Sequence, residues 1–233
     1  LGYSINQIKN SRKGLSFNDK GKLNMRMGIN DFSANDFISN MDENNLSRVF
    51  KIFGDERYSK KIAREIVRIR DFKTIKTEDL VQIIDSVKKY QKTKIHNSTK
   101  IFQALRILVN KEISELINAL INSFHLIPIG GVIAVVTFHS IEDKIVKFFF
   151  KHYSEERNSS RYMPNEEVSE KCFKIINKKP ILPGFKEVSQ NPPSRSAKLR
   201  YAIKINQKCN FNDFREKFKY LTDVEELSLI HIW

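Results

Sequence analysis

The sequence holds only two cysteines, Cys172 and Cys209, and neither sits in a C-x-x-C pair. That excludes a disulfide-stapled secreted scaffold and a thiolate zinc site, and two reduced thiols in a reducing compartment are expected. Its five histidines, His96, His125, His139, His152 and His231, lack metal-ligand spacing, so no metal is expected. No apolar run reaches the roughly eighteen residues that a membrane-spanning helix needs, and no signal peptide is visible. A cytoplasmic protein without a membrane partner is the expectation. An initiator methionine is also missing: the chain opens on LGYSINQ, which reads as the end of a strand running into a loop, cut from a longer sequence.

Acidic residues are scarce as well. Asp and Glu total 27 against 41 Lys and Arg, a formal charge of +14. Such a surplus favours a polyanionic partner, with RNA or DNA ahead of a membrane surface. A Lys-, Asn- and Ile-rich composition set by an AT-rich genome gives the same surplus with no partner at all. With 233 residues and 40% hydrophobic side chains, the chain has enough apolar mass for one domain, or one domain carrying an insertion.

The organising stretch is GGVIAVVTFHSIEDKIVKFFF, Gly130 to Phe150. A Gly-Gly turn enters the apolar run Val132 to Val136, short enough for a strand buried on both faces. Thr137, His139 and Ser140 follow, and Ser140 with Asp143 reads as a capping box opening a helix. Ile141, Ile145, Val146, Phe149 and Phe150 recur along that helix at helical spacing. In an open α/β sheet the chemistry lies beyond the carboxyl ends of strands, where His139, Ser140 and Glu142 fall. The plainer reading of this stretch alone is a turn whose His and Ser cap a helix.

Before that stretch, Lys9 to Asn30 is a basic loop punctuated by Gly14, Gly21 and Gly28. Within it Met25 and Met27 read as core plugs and Arg26 as solvated. Helices are predicted over 33–41, capped by Ser33 with Asp36, and over 42–53, capped by Asp42 and stopped by Gly54. Leu46, Val49, Phe50 and Phe53 form the second helix's buried stripe. From Arg57 to Arg70, Tyr58, Ile62, Ile66 and Ile69 share one face, with Lys60, Lys61, Arg64 and Arg68 on the others. A helix capped by Thr77 runs to about Tyr90. Residues 31–93 therefore read as an all-helical insertion. One long helix is predicted from Thr99 to Leu126, with Gln103, Arg106 and Asn110 standing off its apolar stripe.

After Tyr153 a polar loop runs to Glu170, and a strand is predicted over 172–179. Leu199, Tyr201, Ile203 and Ile205 alternate with Arg200, Ala202 and Lys204 as in a half-buried strand. Between the strands GFKEVSQNPPSRSAK makes a long loop carrying Arg195 and Lys198. The tail, 207–233, holds a polar helix and ends in LSLIHIW, an abrupt apolar stretch foreign to what precedes it.

Five segments, GKLNMRM, FGDERYSKKIAREIV, HNSTKIFQALRILVNKEISEL, VVTFHSIEDKIVKFF and NPPSRSAKLR, together resemble the bacterial MraW family of 16S rRNA cytosine-N4 methyltransferases. The resemblance runs in order from Leu1 to about Ile205, with Asn24 where that family has an aspartate. It implies an α/β fold: the C-terminal part of a class I Rossmann-like methyltransferase sheet in 1–30 and 94–206, with the helical insertion 31–93 recognising substrate. It also implies transfer of a methyl group from S-adenosyl-L-methionine to N4 of a cytidine in 16S rRNA of the small ribosomal subunit.

The family's glycine-rich loop, acidic ribose-binding residue and strand-end aspartate would all precede Leu1. Of the cofactor contacts only Gln7 carries over, with Gly2 beside the cofactor. For catalysis the candidates are His139, Ser140 and Glu142, with Asp143 as the cap. Arg106, Lys144, Arg195 and Arg200 are the candidate RNA contacts, ordinary surface or helix-end pairing standing beside that role. The Asp-Pro-Pro-Tyr motif of other amino methyltransferases is missing. The alternatives are a non-catalytic RNA-binding remnant lacking the cofactor half, and an amino methyltransferase acting on DNA or another RNA. The oligomeric state is open, a homodimer included.

Overall fold

The computed structural model describes residues 13–19, 21–28, 31–88, 96–155 and 171–228. Two compact units emerge, one built from residues 115–219 and the other from the described residues through Ser114 together with those from Tyr220 onward.

The second of these units is helical. It holds α1 (Ala34–Asn40), α2 (Glu43–Gly54), α3 (Ser59–Arg70), α4 (Thr77–Lys88) and α5 (Thr99–Asn110). The expected caps form at α1 and α2: Ser33 and Asp36 make a reciprocal capping box, and Asp42 accepts the Asn45 N–H at 2.7 Å. Leu46, Val49, Phe50 and Phe53 are all fully buried where α2 packs on α3 and α5. Gly54 has a different role from the expected stop. The left-handed residue that ends α2 is Asp55, at φ 48°, whereas a Cβ on Gly54 would meet the Lys100 carbonyl oxygen at 2.6 Å. Its missing side chain lets α2 and α5 approach closely. Thr77 does not cap α4 as expected; its hydroxyl donates to the Gly21 carbonyl at 2.8 Å, and Asp79 takes the Lys76 N–H.

The predicted helix 99–126 is two helices. α5 stops at Asn110, Lys111 turns left-handed at φ 49°, and α6 runs over Glu112–Leu126. The apolar stripe crosses the break unbroken, so periodicity alone did not expose it. Polar groups set the break. The Arg106 guanidinium spans it to Glu112, at 2.7 and 3.0 Å, and Glu225 takes the Ile113 N–H at 2.7 Å and the Ser114 N–H at 2.9 Å. Backbone donors that a continuous helix would satisfy are thus met by a buried carboxylate.

The other unit contains a three-stranded sheet in the order β1 (Val132–Thr137), β3 (Lys198–Lys204), β2 (Phe173–Lys174). β3 runs antiparallel to both neighbours, with Thr137 opposite Lys198 and Val135 opposite Arg200. α7 (Ser140–His152) packs on one face, against β1 and β3, and buries Ile145, Val146, Phe149 and Phe150. Phe124, Phe149, Tyr153, Phe173, Phe211 and Phe214 form an edge-to-face and tilted aromatic cluster.

Three expectations change here. β1 is buried on one face only: Ile133 and Thr137 are covered, and Val132 and Val136 are exposed. The strand predicted over 172–179 reduces to Phe173–Lys174. On β3 the faces are inverted, with Ala202 and Lys204 fully buried and Leu199, Tyr201 and Ile203 only half-buried. The inversion is possible because the cations find partners. Lys204 Nζ donates to the Phe124 and Ile127 carbonyls at 2.8 and 2.9 Å, closing the C-terminus of α6, and sits 4.3 Å from the Phe124 ring centroid.

The cysteines also depart from expectation. Cys172 leads into β2 and Cys209 follows β3, its antiparallel neighbour, and their sulfurs are joined in a disulfide. Among the described residues no helix is long and apolar enough to cross a membrane.

Candidate active site

The carboxyl end of β1 carries the predicted catalytic residues. Thr137 is buried, and its hydroxyl donates to the Lys198 carbonyl at 3.3 Å. Phe138 is exposed, and His139 is the residue before α7. The cap differs from the expected Ser140–Asp143 pair. His139 Nδ1 accepts the Glu142 N–H at 3.5 Å, and Glu142 Oε2 accepts the Phe138 N–H at 2.8 Å and the His139 N–H at 3.4 Å. An imidazole nitrogen thus stands in for the hydroxyl of an ordinary capping box. The cap lies one position earlier than the Ser-to-Asp spacing implies.

This shift frees Ser140 and Asp143 for other work. The Ser140 hydroxyl is exposed and makes no side-chain hydrogen bond among the described residues. Asp143 reaches β3, where it takes Arg200 Nε at 2.7 Å and Lys198 Nζ at 3.2 Å. Burial pushes the Asp143 carboxyl up, but hydrogen bonds from Arg200 and Lys198 outweigh it and hold the group below its ordinary range.

Glu142 is the buried carboxylate of the site. Burial again acts to raise it, and the His139 imidazole with the Phe138 and His139 N–H groups brings it below the usual carboxylate value. His139 Nε2 lies 3.3 Å from Glu142 Oε1, off the line of a hydrogen bond, and this buried nitrogen has no hydrogen-bond partner among the described residues. The strand end therefore presents an imidazole braced by an anionic carboxylate, an exposed hydroxyl beside it, and a lysine one strand over.

The predicted RNA contacts fall in varied settings. The Arg200 guanidinium is held by Asp143, and that of Arg106 by Glu112. Arg195 is exposed in a 3-10 turn, Pro192–Ser196, and donates to the Pro192 carbonyl at 3.3 Å. Lys144 is exposed on α7. Gln7 and Gly2 lie outside the described residues.

In the helical unit GKLNMRM is pinned by Asn110. Its side chain donates to the Met25 carbonyl at 2.9 Å and accepts the Met27 N–H at 2.7 Å. Asn24 accepts from Arg26 Nε at 2.9 Å, so Arg26 is not merely solvated. Met25 is a fully buried plug as expected, and Met27 is 41% exposed and is not. Sequence reasoning gave no role to Glu225 or Lys204, and Lys198 only a place in a loop. Their partners are carbonyls, N–H groups and carboxylates distant in sequence, which no local pattern reveals.

The chain is 41% identical over 207 residues to a protein of Xanthobacter autotrophicus named ribosomal RNA small subunit methyltransferase H, a match covering 88% of this chain and 60% of that protein. Proteins of the same name from Afipia carboxidovorans and Bartonella henselae are 42% identical over 203 residues and 39% over 217. These matches cover 87% and 92% of this chain, and 61% and 63% of the relatives. The chain thus spans about three fifths of the length of these relatives. A family model, the MraW methylase family, matches residues 1–205, and the chain belongs to that family.

Proposed function

We propose that this chain is part of an enzyme that transfers a methyl group from S-adenosyl-L-methionine to N4 of a cytidine in 16S rRNA of the small ribosomal subunit. The observation that carries the reading is the end of β1, where two family segments, VVTFHSIED and NPPSRSAKLR, meet through Asp143, Lys198 and Arg200. The strand order β1-β3-β2 supports a class I Rossmann-like sheet whose last strand inserts antiparallel between its neighbours. Relatives carrying the small-subunit methyltransferase name support the substrate.

A cytosine N4 is a weak nucleophile because its lone pair is delocalised into the ring. Methylation requires that the amino group be oriented and that one of its protons be removed. In this reading the Ser140 hydroxyl accepts a hydrogen bond from the amino group and aims the nitrogen. His139 receives the proton at Nδ1, giving up as it does so the long, 3.5 Å cap contact with the Glu142 N–H. Glu142, held anionic, stabilises the imidazolium through Nε2. S-adenosyl-L-methionine supplies an electrophilic methyl on a sulfonium. The residues assigned to it, Gln7 and Gly2, lie outside the described residues, and the described site is the acceptor side of the reaction. Arg195 and Lys144, both exposed in the unit that carries the strand end, are proposed to meet RNA.

Nucleoside analysis tests the assignment. Small subunits from a strain lacking the enzyme, incubated with the complete gene product and methyl donor, are expected to gain N4-methylcytidine. A methyl group on another base or atom would contradict the reading, and incorporation into DNA instead would favour the rival amino methyltransferase.

A further inference from the structure

A groove of about 770 Å³ lies between the C-terminal half of α7 and the β2–β3 edge; Arg200 is in its lining, and His139 and Ser140 are not. Six of its fourteen lining residues are Lys or Arg, and one, Glu155, is acidic. Glu155 lies 3.7 Å from Lys151 on the same rim. Lys147, Lys174 and Lys178 are exposed, and among the described residues none of them has a carboxylate within salt-bridge distance. Between these cations the half-buried Tyr201 offers a ring, over a floor that includes the fully buried Phe173. Cations around an apolar, aromatic lining suit a nucleotide chain, with phosphates on the ammonium groups and a base against the ring.

We propose that this groove is a second docking site for single-stranded RNA of the substrate, beyond the residue being methylated. The inference rests on the rRNA reading above and adds to it a surface outside the reacting site. Geometry favours one continuous strand: Lys147 and Lys151 lie seven and eleven residues along α7 from Ser140, about 11 and 17 Å at the helical rise. An RNA whose target base is at the strand end needs only a few further nucleotides to reach the groove. Charge supports the same choice, because neither an acidic peptide nor a neutral ligand would use both the unpaired lysines and the aromatic lining.

The test uses the 233-residue chain and a fluorescein-labelled single-stranded RNA oligonucleotide, followed by anisotropy over a range of salt. The triple variant Lys147→Gln, Lys174→Gln, Lys178→Gln should bind at least about tenfold more weakly, with the log–log salt slope smaller by about 2, as three lost phosphate contacts on a single strand require. A control variant, Arg215→Gln, Lys217→Gln, Lys219→Gln, removes the same charge from exposed sites off the groove and outside the insertion, and should change affinity less than threefold. Equal losses in the two variants would reduce the effect to net charge and overturn the groove. So would an unchanged groove variant, or a wild-type chain that binds no RNA. None of these results touches the methyltransferase reading, which the nucleoside analysis of the complete gene product decides separately.

Discussion

Asp143 Oδ1 lies 2.7 Å from Arg200 Nε, and through this pair the first turn of α7 is fastened to β3 beside the strand end that carries His139. Both side chains are almost nine-tenths buried, so removing one leaves the other without compensation. Asp143→Asn should therefore cost about 3 kcal/mol and lower the melting temperature measured by circular dichroism. The carboxyl is held below its ordinary 3.8, so its contribution is present above that value and disappears as pH falls through the lower folded value. The wild-type and Asp143→Asn stability curves should converge on the acid side. A constant gap down to pH 2 would contradict the pairing.

Glu225 behaves in the opposite sense. Burial raises its carboxyl to about 7, against hydrogen bonds from Ser114 and Ile113, and the Glu112 carboxylate adds to the rise. For an acid whose folded value exceeds its unfolded 4.5, stability is fully present below 4.5 and is lost as pH climbs to about 7. The loss should be on the order of 3 kcal/mol, and Glu225→Gln should flatten that part of the curve. Urea unfolding at a series of pH values measures it, and an equally steep decline in the variant would remove Glu225 as the cause.

Asn110→Ala should release GKLNMRM. It deletes the bonds to the Met25 carbonyl and the Met27 N–H and leaves both to solvent or to nothing. A cost of about 2 kcal/mol is expected, with hydrogen exchange at the Met27 amide accelerated well beyond that of α5. Unchanged protection at Met27 would show that the loop is held by other means.

Lys204→Ala should be among the more damaging single changes in the sheet unit. It leaves the Phe124 and Ile127 carbonyls without their donor and opens a cavity beneath the Phe124 ring. The expected loss is about 3 kcal/mol, with Lys204→Met recovering part of it by filling the volume. Thermal unfolding of the two variants gives the order, and equal stability of Lys204→Ala and wild type would contradict it.

Much of the helical unit was legible because local rules operate there. Ser33 and Asp36, Asp42 and the α2 stripe are satisfied within a turn or two of sequence. Legibility failed where a distant partner decides. Lys111 can adopt a left-handed turn because Glu225 accepts the Ile113 and Ser114 N–H groups that the helix leaves free. β3 can turn Lys204 inward because two helix-end carbonyls wait for it. The end of β1 followed the same division: its turn into α7 was readable from the strand-turn-helix pattern. Its cap was not, because an imidazole replaced the hydroxyl that the usual signature calls for.

Methyl transfer by the complete gene product carrying His139→Ala, assayed on small ribosomal subunits with saturating methyl donor, tests the proposed proton acceptor most directly. The proposed proton acceptor predicts a kcat reduced at least about a hundredfold, with KM for the subunit little changed and the pH dependence of the residual rate flattened. Turnover at the wild-type rate would contradict the account and leave His139 a helix cap.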